Sequence, residues 1–237
     1  MTLQDAHVVV VGGSSGIGMA AAALVRAQGA HVTIAGRSAD KLARAQQVLG
    51  DVRTVAADIA SEEAVANIFA ALDHVDHVVV SAGTLANGQI VDNDMATLRR
   101  IVDERIWGLV HVVRQARPRM TEGSITFTSG SLSTRPRPGT AMLSASLAAV
   151  EALAPALALE VAPVRVNVVT PGLIDTPLLE GAFGSDRQTL IANRAAVLPV
   201  KRVGTADDVG QAIVMCMTNP YLNGAVLHID GGGRFVS

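Results

Sequence analysis

At 237 residues, 49% of them apolar and 17% charged, the chain has the length of one sizeable domain and the material for a large core. A formal net charge of -2 and a pI near 6.3 leave no basic surplus, which argues against nucleic acid as a main partner, and no block of like charge marks a tail. Aromatics make up only 3%, so Ala, Val, Leu and Ile must build the core; the single cysteine, Cys216, excludes an internal disulfide and points to a reducing, cytoplasmic compartment.

Val8, Val9, Val10 and Val11 form an apolar run without alternation, the pattern of a strand buried on both faces of a parallel sheet. Gly12-Gly13-Ser14-Ser15-Gly16-Ile17-Gly18 then turns the chain into a helix over residues 19–28. Glycine lets the backbone leave the strand at 12, admits close approach of a ligand at 16, and lets the helix pack on the strand at 18. The free N–H groups and dipole at that helix start favour an anion, so the stretch reads as a pyrophosphate cradle. A second strand over residues 31–35 leads into Gly36-Arg37-Ser38 and a helix over residues 39–49. A carboxylate closing this strand would bond an adenosine ribose and repel a 2′-phosphate. Gly36 supplies none, whereas Arg37 and Ser38 can hold the phosphate by charge-assisted hydrogen bonds, so NADP(H) is expected over NAD(H).

The third strand, residues 52–56, is followed by Ala57-Asp58-Ile59; Asp58 suits the N-cap of a helix beginning near Ser61, a place Ser61 can itself take. A fourth strand over residues 75–80 precedes Ser81-Ala82-Gly83. Two long helices rich in small residues, 95–116 and 139–162, flank a strand over residues 124–128. Pro155 should bend the second helix, and with Glu151 and Glu160 it argues against a membrane span. A sixth strand, residues 164–169, runs into Thr170-Pro171-Gly172-Leu173-Ile174-Asp175-Thr176-Pro177. Residues 178–200, interrupted by Gly181, Gly184 and Pro199, form a lid-like segment. Asp207 and Asp208 lead into the last helix, and a seventh strand over residues 225–229 ends in Asp230-Gly231-Gly232-Gly233. With no repeat or linker, residues 1–237 are expected as a single α/β domain, a doubly wound Rossmann-type sheet of about seven parallel strands.

The spacing of Gly12, Gly16 and Gly18 resembles the TGxxxGxG turn of the short-chain dehydrogenase/reductase family, with Val11 in place of Thr. Ser81-Ala82-Gly83 resembles its Asn-Ala-Gly, residues 170–177 its Pro-Gly nicotinamide loop, and residues 230–233 its C-terminal signature, so the resemblance spans nearly the whole chain. It implies NADP(H) held at the pyrophosphate by Gly12, Ser14, Ser15, Gly16, Ile17 and Gly18, and at the 2′-phosphate by Arg37 and Ser38. Asp58 and Ile59 are then implied at the adenine, Ser81, Ala82 and Gly83 alongside the cofactor, and Pro171, Gly172, Ile174 and Thr176 at the nicotinamide. It also implies a homodimer or homotetramer assembled through the two long helices and the C-terminal strand.

The chain departs from this family where the chemistry lies. The family's Tyr-x-Ala-Ser-Lys is here Leu143-Ser144-Ala145-Ser146-Leu147, its Ser-Ser strand end is Ser129-Gly130, and the Asn of its Asn-x-x-Gly is Arg105. In the family that Tyr is the general acid/base, the Lys lowers its pKa and holds the ribose, the second Ser polarises the carbonyl, and the Asn completes a proton relay. Positioned acid/base groups contribute about 10²- to 10⁴-fold in rate, and this chain lacks them at those places. Arg105, Ser129 and Ser131 are the remaining polar candidates. Arg105 can stabilise an oxyanion yet cannot serve as an acid near neutral pH, and Ser129 in a regular strand points to the opposite face from the lost serine. Leu143 and Leu147, one turn apart, are expected as an apolar wall facing the nicotinamide. Two functions are open: an NADP(H)-dependent oxidoreductase of a small molecule with a non-standard or impaired active site, or a catalytically silent NADP(H)-binding sensor or oligomer partner. No metal site is expected.

Overall fold

The computed structural model describes residues 2–85 and 88–236. The first half alternates strand and helix: β1 (His7–Val11), α1 (Gly16–Arg26), β2 (His31–Gly36), α2 (Ala39–Leu49), β3 (Arg53–Ala56), α3 (Glu62–Phe69) and β4 (His77–Val80). The second half runs α4 (Met95–Val102), a π-helical turn (Asp103–Trp107), α5 (Gly108–Ala116), β5 (Ser124–Thr128), α6 (Ala141–Glu160) and β6 (Arg165–Pro171). It then continues through β7 (Ile174–Asp175), α7 (Pro177–Phe183), α8 (Arg187–Val197), β8 (Gly204–Thr205), α9 (Ala206–Thr218) and β9 (Val226–Ile229). Seven strands form one parallel sheet in the order β3-β2-β1-β4-β5-β6-β9, the Rossmann-type arrangement expected from the sequence, and β7 and β8 pair separately.

The period of two along β1 divides the core into two layers. Val9 and Val11 face one side, packed with Phe69 of α3, Val112 of α5 and Val150, Ala154 and Ala158 of α6. Val8 and Val10 face the other, with Ala21 and Val25 of α1, Leu42 of α2, and Ile213 and Met217 of α9. Each fully buried valine contributes roughly 1.5 kcal/mol or more, so the four-residue run fixes β1 at the centre of the sheet. Cys216 lies in the second layer, and burial pushes its thiol up to about 11, which makes it an inert packing residue. Arg165 is buried where the pattern shows only a strand start; its guanidinium donates to the carbonyls of Cys216, Met217 and Leu222 at 2.7–2.8 Å and so caps α9.

Several expectations are corrected. The single helix over residues 95–116 is broken by the π turn, whose extra residue turns Glu104 and Arg105 together into the protein. Gly181 lies inside α7 instead of ending a helix. Ser61, not Asp58, caps α3, accepting from Ala64 N at 3.2 Å. Helix α6 spans Ala141–Glu160, shorter at both ends than the expected 139–162, with Pro155 in its interior. By length and composition α6 is apolar enough to cross a membrane, but one of its faces is built into the first core layer.

Candidate cofactor groove

Strand order reverses at β1: β2 and β3 continue on one side, β4 and β5 on the other. The crevice outside the carboxyl ends at such a point is where an open parallel sheet binds ligands. Its floor is the turn after β1. Gly12 has φ +92°, and a Cβ there would fall 2.6 Å from Ala82 N, so the turns leaving β1 and β4 are in contact. A Cβ at Gly18 would stand 2.3 Å from both Gly12 O and Ser81 Oγ, which shows how closely α1 is drawn onto those turns. Ser15, the N-cap of α1, makes no side-chain cap bond, leaving the first amides of the helix open to the crevice. An uncapped helix start beside glycine-lined turns fits a pyrophosphate.

Most of the sequence-predicted cofactor residues come together here. Gly12, Ser14, Ser15, Gly16, Ile17, Gly18, Arg37, Ser38, Ile59, Ser81, Ala82, Gly83 and Thr176 line one groove. Asp58 does not; Arg100 Nη2 donates to its two carboxylate oxygens at 2.8 and 2.7 Å, and Ala60 N donates to Oδ1 at 3.1 Å. Burial would raise the Asp58 pKa, but these bonds and the Arg100 and Arg37 charges hold it below the usual carboxylate range. Pro171, Gly172 and Ile174 also lie outside the lining. Gly172 is pressed against the chain end, where its Cβ would be 2.9 Å from Asp230 Cα, and the Ile174 side chain is buried in the second core layer. Ser38 Oγ is occupied as the N-cap of α2, accepting from Lys41 N at 3.3 Å.

The sequence reading missed Lys41, Thr84, Arg100 and Glu104. Lys41, Thr84 and Glu104 line the groove, and Glu104 is almost fully buried. Its Oε2 accepts from Thr84 N at 2.9 Å and Thr84 Oγ1 at 2.7 Å; its Oε1 accepts from Arg100 Nε at 2.7 Å and Arg37 Nη1 at 3.1 Å. Burial alone would raise its pKa, yet the Thr84 and Arg100 bonds and the Arg37 charge hold it low, so it is an anion at neutral pH. The one signal available in the sequence was the Arg100/Glu104 spacing of four on a helix. Arg105 next to it is buried under the same turn: Nη2 donates to Thr84 O at 3.0 Å, Nε has no partner among the described residues, and a Cβ at Gly83 would lie 2.9 Å from its Cζ. Burial lowers its pKa from the ordinary arginine range, with the Glu104 charge opposing.

The other polar candidates are placed elsewhere. Ser129 Oγ lies 3.0 Å from Leu147 O and 2.8 Å from Glu151 Oε1, on the α6 side of β5. Ser131 opens a 3-10 turn over Ser131–Ser133, its carbonyl accepting from Arg135 N at 3.0 Å. Leu143 and Leu147 do not line the groove; they close on Ile101 as a small buried cluster, as apolar side chains shielded from water do.

A doubly wound sheet with a phosphate-fitting turn at its point of reversal defines a Rossmann-type nucleotide-binding protein. Residues 11–233 match the family model described as enoyl-(acyl carrier protein) reductase. The chain is 31% identical over 239 residues to a 3-oxoacyl-[acyl-carrier-protein] reductase of Bos taurus, covering 97% of this chain and 98% of that protein. It is 30% identical over 255 residues to a short-chain dehydrogenase/reductase of Acremonium sp, covering 97% and 96% respectively. A solved small-chain dehydrogenase in complex with NADPH is similar at a TM-score of 0.85 and 32% identity, over 98% of this chain and 100% of that one. The chain belongs to the short-chain dehydrogenase/reductase family, and is an oxidoreductase of that type.

Proposed function

We propose that the chain is an NADP(H)-dependent oxidoreductase of a small molecule whose proton chemistry departs from the family pattern. The observation that carries this reading is the separation between two regions. The groove keeps its glycine turns and open helix start, whereas Leu143 and Leu147 stand where the resemblance places Tyr and Lys and are sealed in an apolar cluster. Gly12 to Gly18 and the α1 amides would hold the pyrophosphate, and Arg37 with Lys41 a 2′-phosphate, since Gly36 brings no carboxylate to the end of β2. When bound, the reduced nicotinamide supplies hydride. The chain's own contribution is to bind and orient, and to place a buried cation, Arg105, under the Gly83–Thr84 turn, where it favours negative charge nearby. With no phenol or amine at the family positions, the proton comes from solvent or from the substrate itself.

The reading is tested by fluorescence titration with NADPH, followed by NADPH consumption over a panel of ketones, aldehydes and quinones. Saturable binding and slow turnover are expected, both abolished by Gly16→Trp, which fills the space beside Thr176. The same sealed cluster favours one second reading, a silent NADP(H)-binding sensor or oligomer partner. Binding without turnover anywhere on the panel selects it. A homodimer or homotetramer through α4, α5, α6 and the C-terminal strand β9 belongs to either reading.

A further inference from the structure

We infer that Glu104 limits the cofactor preference: its carboxylate claims the Arg37 guanidinium that a 2′-phosphate needs, and so narrows the margin of NADP(H) over NAD(H). The inference rests on the cofactor reading above and adds a residue to it. Of the two partners, Glu104 is fixed and Arg37 is free to move, their side chains being 3% and 54% exposed. Three of the four donors to Glu104 come from Thr84 and Arg100, at 2.7–2.9 Å; Arg37 is the fourth and the most distant, at 3.1 Å. Arg100 is in turn anchored on Asp58, so the carboxylate cannot follow Arg37 outward.

A phosphate dianion arriving at Arg37 therefore meets a guanidinium already neutralised by a buried anion. It must either displace that contact or share the cation with a like charge close by, and each option costs binding free energy. The 2′-hydroxyl of an unphosphorylated ribose is uncharged and meets no such repulsion. Lys41, on the first turn of α2 and also lining the groove, supplies the second cation that keeps the phosphate from being excluded altogether. Dual use of the two dinucleotides, with NADP(H) ahead by a small factor, is the expected result.

The test is the dissociation constant of NADPH and of NADH, measured by titration at one ionic strength, for wild type, Glu104→Gln, Arg37→Ala and the double variant. The wild-type ratio is expected within about tenfold of unity, and Glu104→Gln is expected to raise it in favour of NADPH by about tenfold, the effect of removing one competing charge from the Arg37 contact. In the Arg37→Ala background the Glu104 change is expected to leave the ratio alone. An unmoved or falling ratio in Glu104→Gln overturns the inference. So does equal weakening of both dinucleotides, which would mean that Glu104 only props the Gly83–Thr84 turn. Should Glu104→Gln fail to fold, wild type decides: a preference for NADPH of about a hundredfold or more shows Arg37 unencumbered and overturns the inference, and near-equal affinities uphold it. Wild type that binds neither dinucleotide sinks the cofactor reading and this inference together; wild type that binds both while the Glu104→Gln ratio stands still sinks this inference alone.

Discussion

His77 opens β4 and is only 7% exposed; its Nδ1 lies 2.9 Å from Ser124 Oγ, the residue facing it across the β4–β5 pair. Burial pushes its pKa from the ordinary 6.5 down to about 4, with Arg165 acting in the same direction and Asp76 opposing. The folded ring stays neutral while the unfolded ring takes up a proton near its ordinary pKa. Its contribution to stability is therefore complete above about pH 6.5, declines as the pH falls towards 4, and is lost below that; the full span is roughly 3 kcal/mol. The urea midpoint of wild type is expected to drop between pH 7 and pH 4.5, and the drop to be clearly smaller in His77→Asn. An equally steep decline in that variant would place the acid lability in other groups.

Gly18 does for the element what His77 does for the strand pair: it holds β1, the glycine turn and α1 together. The Cβ of Gly18→Ala would stand 2.3 Å from Gly12 O, a backbone atom that cannot swing aside as a side chain can. Helix and turn must separate, at a cost of about 1–3 kcal/mol, and the open amides of α1 move off the crevice. A lowered melting temperature together with lost NADPH binding is the expected outcome, and an unchanged melting curve would show the contact to be slack. Such elements were legible because their causes are local: four valines in a row, glycines at fixed spacing, a serine before each of α2 and α3. The π turn was not. Glu104 and Arg105 are drawn inward by Thr84, 20 and 21 positions away, and Glu104 also by Arg37, 67 positions away, so a helical period over residues 95–116 shows the Arg100/Glu104 spacing but not these long-range contacts. The Asp58–Arg100 pair was hidden for the same reason, since the partner that takes the Asp58 carboxylate lies 42 positions on. Gly181 was misread for a different one: a helix interior tolerates a glycine at a cost of about 1 kcal/mol when its other residues pack.

On the scale of the whole molecule, the outer face of α6 and its surroundings are more apolar than a surface facing water should be. Ala145, Ala148, Ala152 and Ala156 lie exposed along α6, with Leu159 83% exposed at its end. Beside them Met95 and Trp107, both more than half exposed, join Leu98, Val102 and Met142 around an apolar groove next to the π turn. Single exposed apolar residues are ordinary; this many on neighbouring helical segments support the proposed contact between copies of the chain. The alanines would let a second helix approach closely, and such a face paired with its own copy would give the proposed two-fold dimer. Sedimentation velocity is therefore expected to give at least twice the 24.4 kDa chain mass at micromolar concentration. Ala152→Arg sets a charge in the middle of the stripe, at a position exposed in the single chain, so it should spare the fold and release monomers. Because part of the first core layer is formed by the inner face of this same helix, the released monomer should also melt at a lower temperature than wild type, by an amount that shrinks as wild type is diluted. A wild-type chain that sediments as a monomer, or an Ala152→Arg chain that still assembles, would move the interface off α6.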